Sequence, residues 1–228
     1  MELLKMVAEI PLFHGLQPGQ MEEIVTSMAD QTFERGQPVL SEGEAAEGFF
    51  VLVQGRVKIF KLSPDGKEQI LHIFGPGESF GEVPMFAGGH FPANAETIEK
   101  SRIFFFPRAA FLDLIQKDPS LAMNMLAELS QRLRQLTHLV EELSLKEVPG
   151  RLAAHVLYLS NGNSGADEVE LDITKGQLAS LLGTIPETLS RILGKMNTQR
   201  IIAVQGRKLK ILDRMTLETL AAGEKFVI

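Results

Sequence analysis

The sequence predicts an α+β protein with a β-rich first half, one long helix, and a helical C-terminal part that closes in a hairpin. Three observations carry this. Short apolar runs punctuated by glycines at 36, 43, 55, 66, 77 and 81 fill residues 36–106, and "SPDG" and "GPGE" supply turns. A stretch free of glycine and proline follows from Ser120 to about Lys146, with apolar residues spaced 4-3-4-3-4-3. Near the C-terminus, two S/T-x-x-E/Q signatures ten residues apart frame a glycine.

At 228 residues the chain suits two domains, and 44% hydrophobic with 23% charged residues allows each to bury a core. In the first, "FFVLVQGRVKIFKL", "SPDG" and "KEQILHIF" read as strands joined by turns, an all-β sandwich or barrel. In the helix that follows, Ala122, Leu126, Leu129, Leu133, Leu136, Val140 and Leu143 form a coiled-coil seam expected to meet a second copy of the chain. "KEVPGR" interrupts that pattern, a new helix is expected over 151–159, and "SNGNSGADEVE" reads as a polar loop.

Thr174 and Gln177 then make a capping box, "LASLL" a short helix, and Gly183 a turn. Thr184 is expected to cap the next helix, with Glu187 at its third position and Pro186 in the first turn. Two short helices joined by a glycine-containing turn form a helix-turn-helix. On the second, Leu189, Ile192, Leu193 and Met196 point inward, and Glu187, Ser190, Arg191 and Lys195 line the other side. "IIAVQGRKLKIL" reads as a β-hairpin wing carrying Arg207, Lys208 and Lys210.

Charge supplies the functional argument. The net charge of -6 disfavours a polyanion, yet residues 174–214 hold eight basic residues against two acidic ones, so this segment is +6 and the remainder -12. Such a basic surface on an acidic body fits duplex DNA. A carboxylate such as Glu187 can accept from cytosine N4, and Arg191, one turn along, can bind guanine O6 and N7 and be held by Glu187 as an i,i+4 pair. The absence of cysteine removes disulfides, thiolate metal sites and cysteine-ligated iron-sulfur clusters. No nucleophile-base set or metal-ligand cluster is recognisable, so the chain is not expected to be an enzyme. No apolar run is long enough to span a bilayer, and "MELLKMVAEIPLF" lacks the unbroken apolar core of a secretory signal; a cytoplasmic location is expected.

On "GESFGE" (77–82), the long seam and "QLASLLGTIPETLSRILGKM" (177–196), the sequence resembles the cAMP receptor protein/fumarate-nitrate regulator (CRP/FNR) superfamily of bacterial transcription factors over nearly its whole length. The resemblance implies a cyclic-nucleotide-binding-type β-roll (a double-stranded β-helix or jelly roll) over 1–119 that senses an effector. It implies a dimerisation helix over 120–146 and a winged helix-turn-helix over 147–228. "ETLSR" is similar to the fumarate-nitrate regulator branch, implying that Glu187, Ser190 and Arg191 read TTGAT-type half-sites of a palindrome. Thr184, Thr188, Lys195, Arg207 and Lys208 would contact the DNA backbone. Expected partners are double-stranded DNA, a second copy through Leu126, Leu129, Leu133, Leu136, Val140 and Leu143, and RNA polymerase, with no membrane.

The resemblance also places an effector pocket at Gly81, Glu82, His90, Phe91, Pro92, Thr137 and His138. Gly81 and Glu82 match the pair that contacts the ribose in cAMP-binding members. Pro92 and Ala93 stand where an Arg-Ser pair holds the cyclic phosphate, so cAMP is not expected. An iron-sulfur cluster is not expected either. What remains is an organic ligand, or a haem that binds nitric oxide or carbon monoxide; "KEQIL" and "SLK" resemble the nitric-oxide-responsive members. Of histidines 14, 72, 90, 138 and 155, His90 and His138 are the nominated ligands, with Phe86, Phe91 and Phe104–Phe106 as pocket walls. The rival readings are a ligand-independent DNA-binding repressor with a degenerate barrel, and a cyclic-nucleotide-regulated interaction module whose helix-turn-helix contacts protein.

Overall fold

The computed structural model describes residues 2–162 and 165–224. It divides into two compact units, one running to Arg134 without residues 68–70, the other comprising residues 68–70 and the chain from Gln135 on. The division falls inside the long helix rather than at either of its ends.

The first unit opens with α1 (Glu2–Ala8) and α2 (Pro18–Ser27), followed by β1 (Ala29–Phe33), β2 (Pro38–Leu40), β3 (Gly48–Gln54), β4 (Val57–Leu62), β5 (Glu68–Phe74, less its first three residues) and β6 (Ser79–Phe80). Then come α3 (Val83–Ala87), β7 (Asn94–Thr97), β8 (Ser101–Pro107), α4 (Arg108–Lys117) and the first part of α5 (Ser120–Leu145). Two four-stranded sheets, ordered β1-β8-β3-β6 and β2-β7-β4-β5, make a jelly roll.

Its central strand β3 explains the continuous apolar run "GFFVLV". Successive side chains of a strand point to opposite faces, and here both faces are covered. Phe49 packs beneath the helices, stacked on Phe106 at 5.1 Å and edge-on to Phe111 at 4.8 Å. Phe50 turns into the roll and stacks on Phe80 at 5.3 Å. Each buried phenylalanine contributes roughly 1.5–3 kcal/mol. The strand-to-strand turn at Gly55 needs its glycine: φ is +93° and a Cβ would lie 2.4 Å from Ser101 Oγ. Helices α1 to α4 have no counterpart in the sequence reading. They cover the outer face of the β3 sheet with Val7, Met21, Ile24, Phe111 and Leu114.

In the second unit, α5 continues into α6 (Val148–Gly162), β9 (Glu168–Glu170), α7 (Lys175–Leu181), α8 (Pro186–Thr198), β10 (Ile202–Gln205), β11 (Lys208–Ile211) and α9 (Arg214–Ala221). Helix α6 begins three residues before the expected 151 because proline is accommodated in a helix's first turn. Gly150 is also helical, and it is required: a Cβ there would meet the Leu220 carbonyl oxygen of α9 at 2.8 Å. The wing has a third strand. Glu168–Glu170, read as part of a loop, pairs antiparallel with β11, and Val169 is buried between two exposed glutamates.

The seam of α5 is narrower than the spacing predicts. Leu126, Leu133, Leu136 and Val140 are exposed, at 56%, 67%, 41% and 63%. Leu129 instead packs on the first unit's core with Leu121 and Met125. Leu143 lies against the turn at Gly183, where a Cβ would come within 2.9 Å of it.

Candidate nucleic-acid interface and effector site

Helix α7 starts as its sequence dictates. Thr174 accepts from the Gln177 backbone N–H at 3.2 Å, and the Gln177 side chain accepts from the Thr174 N–H at 2.9 Å, closing the box. Gly183 turns the chain with φ +65°. Helix α8 starts one residue later than the spacing predicts. Its N-cap is Ile185, without a side-chain cap, so Pro186 is the first helical residue and Glu187 the second. Thr184 instead donates its backbone N–H to the Ala179 carbonyl at 2.9 Å.

Glu187 is therefore not spent on a capping box. Among the described residues it forms no ion pair with Arg191 either, so both ends of the expected i,i+4 pair are free. Leu189, Ile192, Leu193 and Met196 are buried, and Glu187, Ser190 and Arg191 are exposed on the opposite face, with Thr188 and Lys195 half-buried beside them. A groove of about 340 Å³ runs between this helix and the start of α6, lined by Thr188, Arg191, Lys195, Val148, Pro149 and Glu147 among others. The groove holds three cations, Arg151, Arg191 and Lys195, against one carboxylate, Glu147, and the first turn of α6 adds the positive end of a helix dipole. The sequence places the start of this helix at 151 and so leaves its first turn out; the proline at its second position was the available sign.

In the wing, β10 pairs with β11 through Gln205↔Lys208, leaving Gly206 (φ +62°) and Arg207 at the tip. Arg207, Lys208 and Lys210 are exposed, though Lys208 lies 3.2 Å from Glu168. Arg214 is used internally: it donates to Ser160 Oγ at 2.7 Å and to the Gly165 carbonyl at 3.2 Å. The outward charge is thus smaller than the sequence count, which included it.

The expected effector residues fall into both units. In the first, Glu82 is 1% exposed and ion-paired with Arg132 of α5. Arg132 also donates to the Ser79 carbonyl at 2.7 Å and lies 4.8 Å from the centre of the Phe74 ring. Ser79 Oγ donates to Glu128 at 2.9 Å; burial is the chief influence on Glu128 and raises its pKa despite that bond. Arg132, the cation that answers Glu82, carried no sequence signal beyond being polar on an amphipathic helix.

Gly81 (φ +79°) packs so closely that a Cβ would meet Phe91 at 3.2 Å. Phe91 is buried against Phe50 as core, not aimed at a ligand; Phe104 and Phe106 are core too, and Phe86 is 41% exposed. His90 and Pro92 are exposed, and the Pro92 carbonyl accepts from Lys61 at 3.0 Å. In the second unit Thr137 is exposed. His138 is 66% exposed, with Glu141 at 3.7 Å and Glu142 at 3.5 Å from its two ring nitrogens. Neither nominated histidine has the enclosed apolar surroundings of a haem ligand.

Among the described residues no group of histidines and carboxylates could hold a metal ion, and no helix is long and apolar enough to cross a membrane.

A jelly roll connected through a long helix to a winged helix-turn-helix with a cationic outer face defines a DNA-binding transcription regulator. Residues 30–118 match the cyclic nucleotide-binding domain and residues 150–220 the Crp-like helix-turn-helix domain. The chain is 30% identical over 213 residues, 92% of its length, to a CRP-like cAMP-activated global transcriptional regulator of Mycobacterium tuberculosis, and covers 95% of that protein. It is similar to the structure of FixK2 from Bradyrhizobium japonicum, with a TM-score of 0.73 and 25% identity, covering 87% of this chain and 99% of that one. To DNR from Pseudomonas aeruginosa it is 34% identical, with a TM-score of 0.50 and coverage of 95% and 96%. The chain belongs to the CRP/FNR family of transcription regulators.

Proposed function

We propose that the protein is an effector-responsive regulator that binds a palindromic TTGAT-type operator as a homodimer. The observation that carries the reading is the outer face of α8, where Glu187, Ser190 and Arg191 are exposed together and the two charges are unpaired. An arginine free of partners can make a bidentate contact to guanine, and an uncapped carboxylate can accept from cytosine N4. Thr184, Thr188, Lys195, Arg207 and Lys208 contact phosphates, together with the first turn of α6. The exposed Leu126, Leu133, Leu136 and Val140 supply the contact with the second copy, and RNA polymerase is the downstream partner.

The effector is a small molecule other than cAMP. Pro92 and Ala93 provide no cation for a cyclic phosphate, and Glu82, suited to a ribose hydroxyl, already holds Arg132. The M. tuberculosis relative is named as cAMP-activated, whereas this chain has Pro92 and Ala93 where the phosphate would need a cation. Selection experiments with random duplex define the operator. Anisotropy titrations of that operator, with and without cAMP, then test the reading. A preferred inverted repeat whose affinity does not respond to cAMP supports it; no sequence preference, or tightening by cAMP, refutes it.

A further inference from the structure

The third strand of the wing is acidic, and the fold lays it beside the cations. Strand β9 is an outer strand of the sheet ordered β10-β11-β9, and its register on β11 sets Glu170 opposite Lys208 and Glu168 opposite Lys210. Val169 and Leu209, also opposite each other, are buried, so the four charged side chains share the other, exposed face. The pairing continues to the tip, where the Leu171 N–H donates to the Arg207 carbonyl at 2.8 Å. Residues 168 and 170 lie outside the basic stretch 174–214, and only the strand pairing brings them to it.

We propose, on the reading that the wing contacts the DNA backbone, that Glu168 and Glu170 stand in for phosphate and attenuate sequence-independent binding. Lys208 Nζ lies 3.2 Å from a Glu168 carboxylate oxygen, diagonally across the ladder, a reach that the long lysine stem permits. An ammonium so occupied must give up a carboxylate before it meets a phosphate, so its net gain on binding is smaller than that of an unpaired cation.

The exposure of the pair suits such an exchange. The Lys208 and Glu168 side chains are 58% and 56% exposed, and an ion pair so well solvated is weak enough for a duplex to displace. Phosphate contacts drive the binding that every duplex shares, whereas base contacts carry the sequence. The acidic strand therefore lowers the shared part and leaves the contribution of Glu187, Ser190 and Arg191 on α8 untouched. A larger share of the remaining affinity then depends on sequence.

The test is an anisotropy titration of random-sequence duplex with the full-length protein and its Glu168→Gln/Glu170→Gln variant, from about 50 to 200 mM salt. Glutamine keeps the shape of each side chain and removes its charge; the two single variants are measured alongside. Tighter binding by roughly threefold or more at low salt supports the proposal, with a log-log salt slope steeper by up to roughly one per lysine released. In a Lys208→Gln/Lys210→Gln background the gain is expected to be lost, because the carboxylates act through those lysines. A gain that persists there reflects net charge alone and overturns the proposal. Unchanged affinity and slope overturn it too, leaving the charged ladder as a stabiliser of the sheet. Salt-dependent binding by the unmodified protein that the variants do not alter removes only the attenuating strand; binding without salt dependence removes the DNA-backbone reading with it.

Discussion

Glu187 and Arg191 are on the surface of α8 without partners, and each makes a distinct prediction. Replacing Arg191 with alanine is expected to cost about 1–3 kcal/mol of specific binding and to relax preference at one base pair per half-site. Anisotropy with a panel of single-base operator variants measures both effects. Because Glu187 occupies the second helical position without a reciprocal cap, Glu187→Gln should alter base preference while changing thermal stability by only a few tenths of a kcal/mol.

His155 makes a pH prediction. Burial lowers its folded-state pKa below the ordinary 6.5, so the unfolded chain binds the proton more readily. Its contribution favours folding above about pH 6.5 and is lost as the pH falls toward the depressed folded value. Denaturant titrations from pH 7.5 downward should show the loss, and His155→Gln should flatten it.

Helix α5 has two apolar faces, one packed on a core and one exposed. Leu121 and Met125, with Leu129, bury into the first unit; Leu126, Leu133 and Val140 recur every seventh residue on the exposed side. If that side is the proposed contact with a second copy, Val140→Glu shifts the protein from dimer to monomer in analytical ultracentrifugation without unfolding either unit. Operator affinity should fall at least tenfold with it, since each half-site alone supplies only part of the binding energy. The box at Thr174 is a separate, local matter. Thr174→Ala removes the acceptor for Gln177 and should lower the stability of the second unit by about 1 kcal/mol in chemical denaturation.

Across the whole chain, a -6 molecule is expected to bind DNA because its positive charge is concentrated in one segment. The slope of log affinity against log salt should be steep, and removing Lys195 or Arg207 should each reduce it by roughly one while weakening all sequences alike. Arg214 should contribute nothing to that slope, because it is held by Ser160 and Gly165.

The helix-turn-helix was readable from residue order because its signals are local. A capping box, a glycine at positive φ and a 3.6-residue apolar repeat act within a few residues of one another, and the buried set of Leu189, Ile192, Leu193 and Met196 matches that repeat. The β3 run, the glycine turns and the length of α5 were legible for the same reason. What depended on tertiary structure was every pairing between distant residues. These include Arg132 with Glu82, the enclosure of Phe91, the third wing strand against β11, the recruitment of Leu129 to a core, and the burial of Arg151 Nε and His155 Nε2 without a hydrogen-bond partner among the described residues. A sequence displays periodicity along one chain direction, whereas desolvation and charge compensation are settled by which segments meet in space.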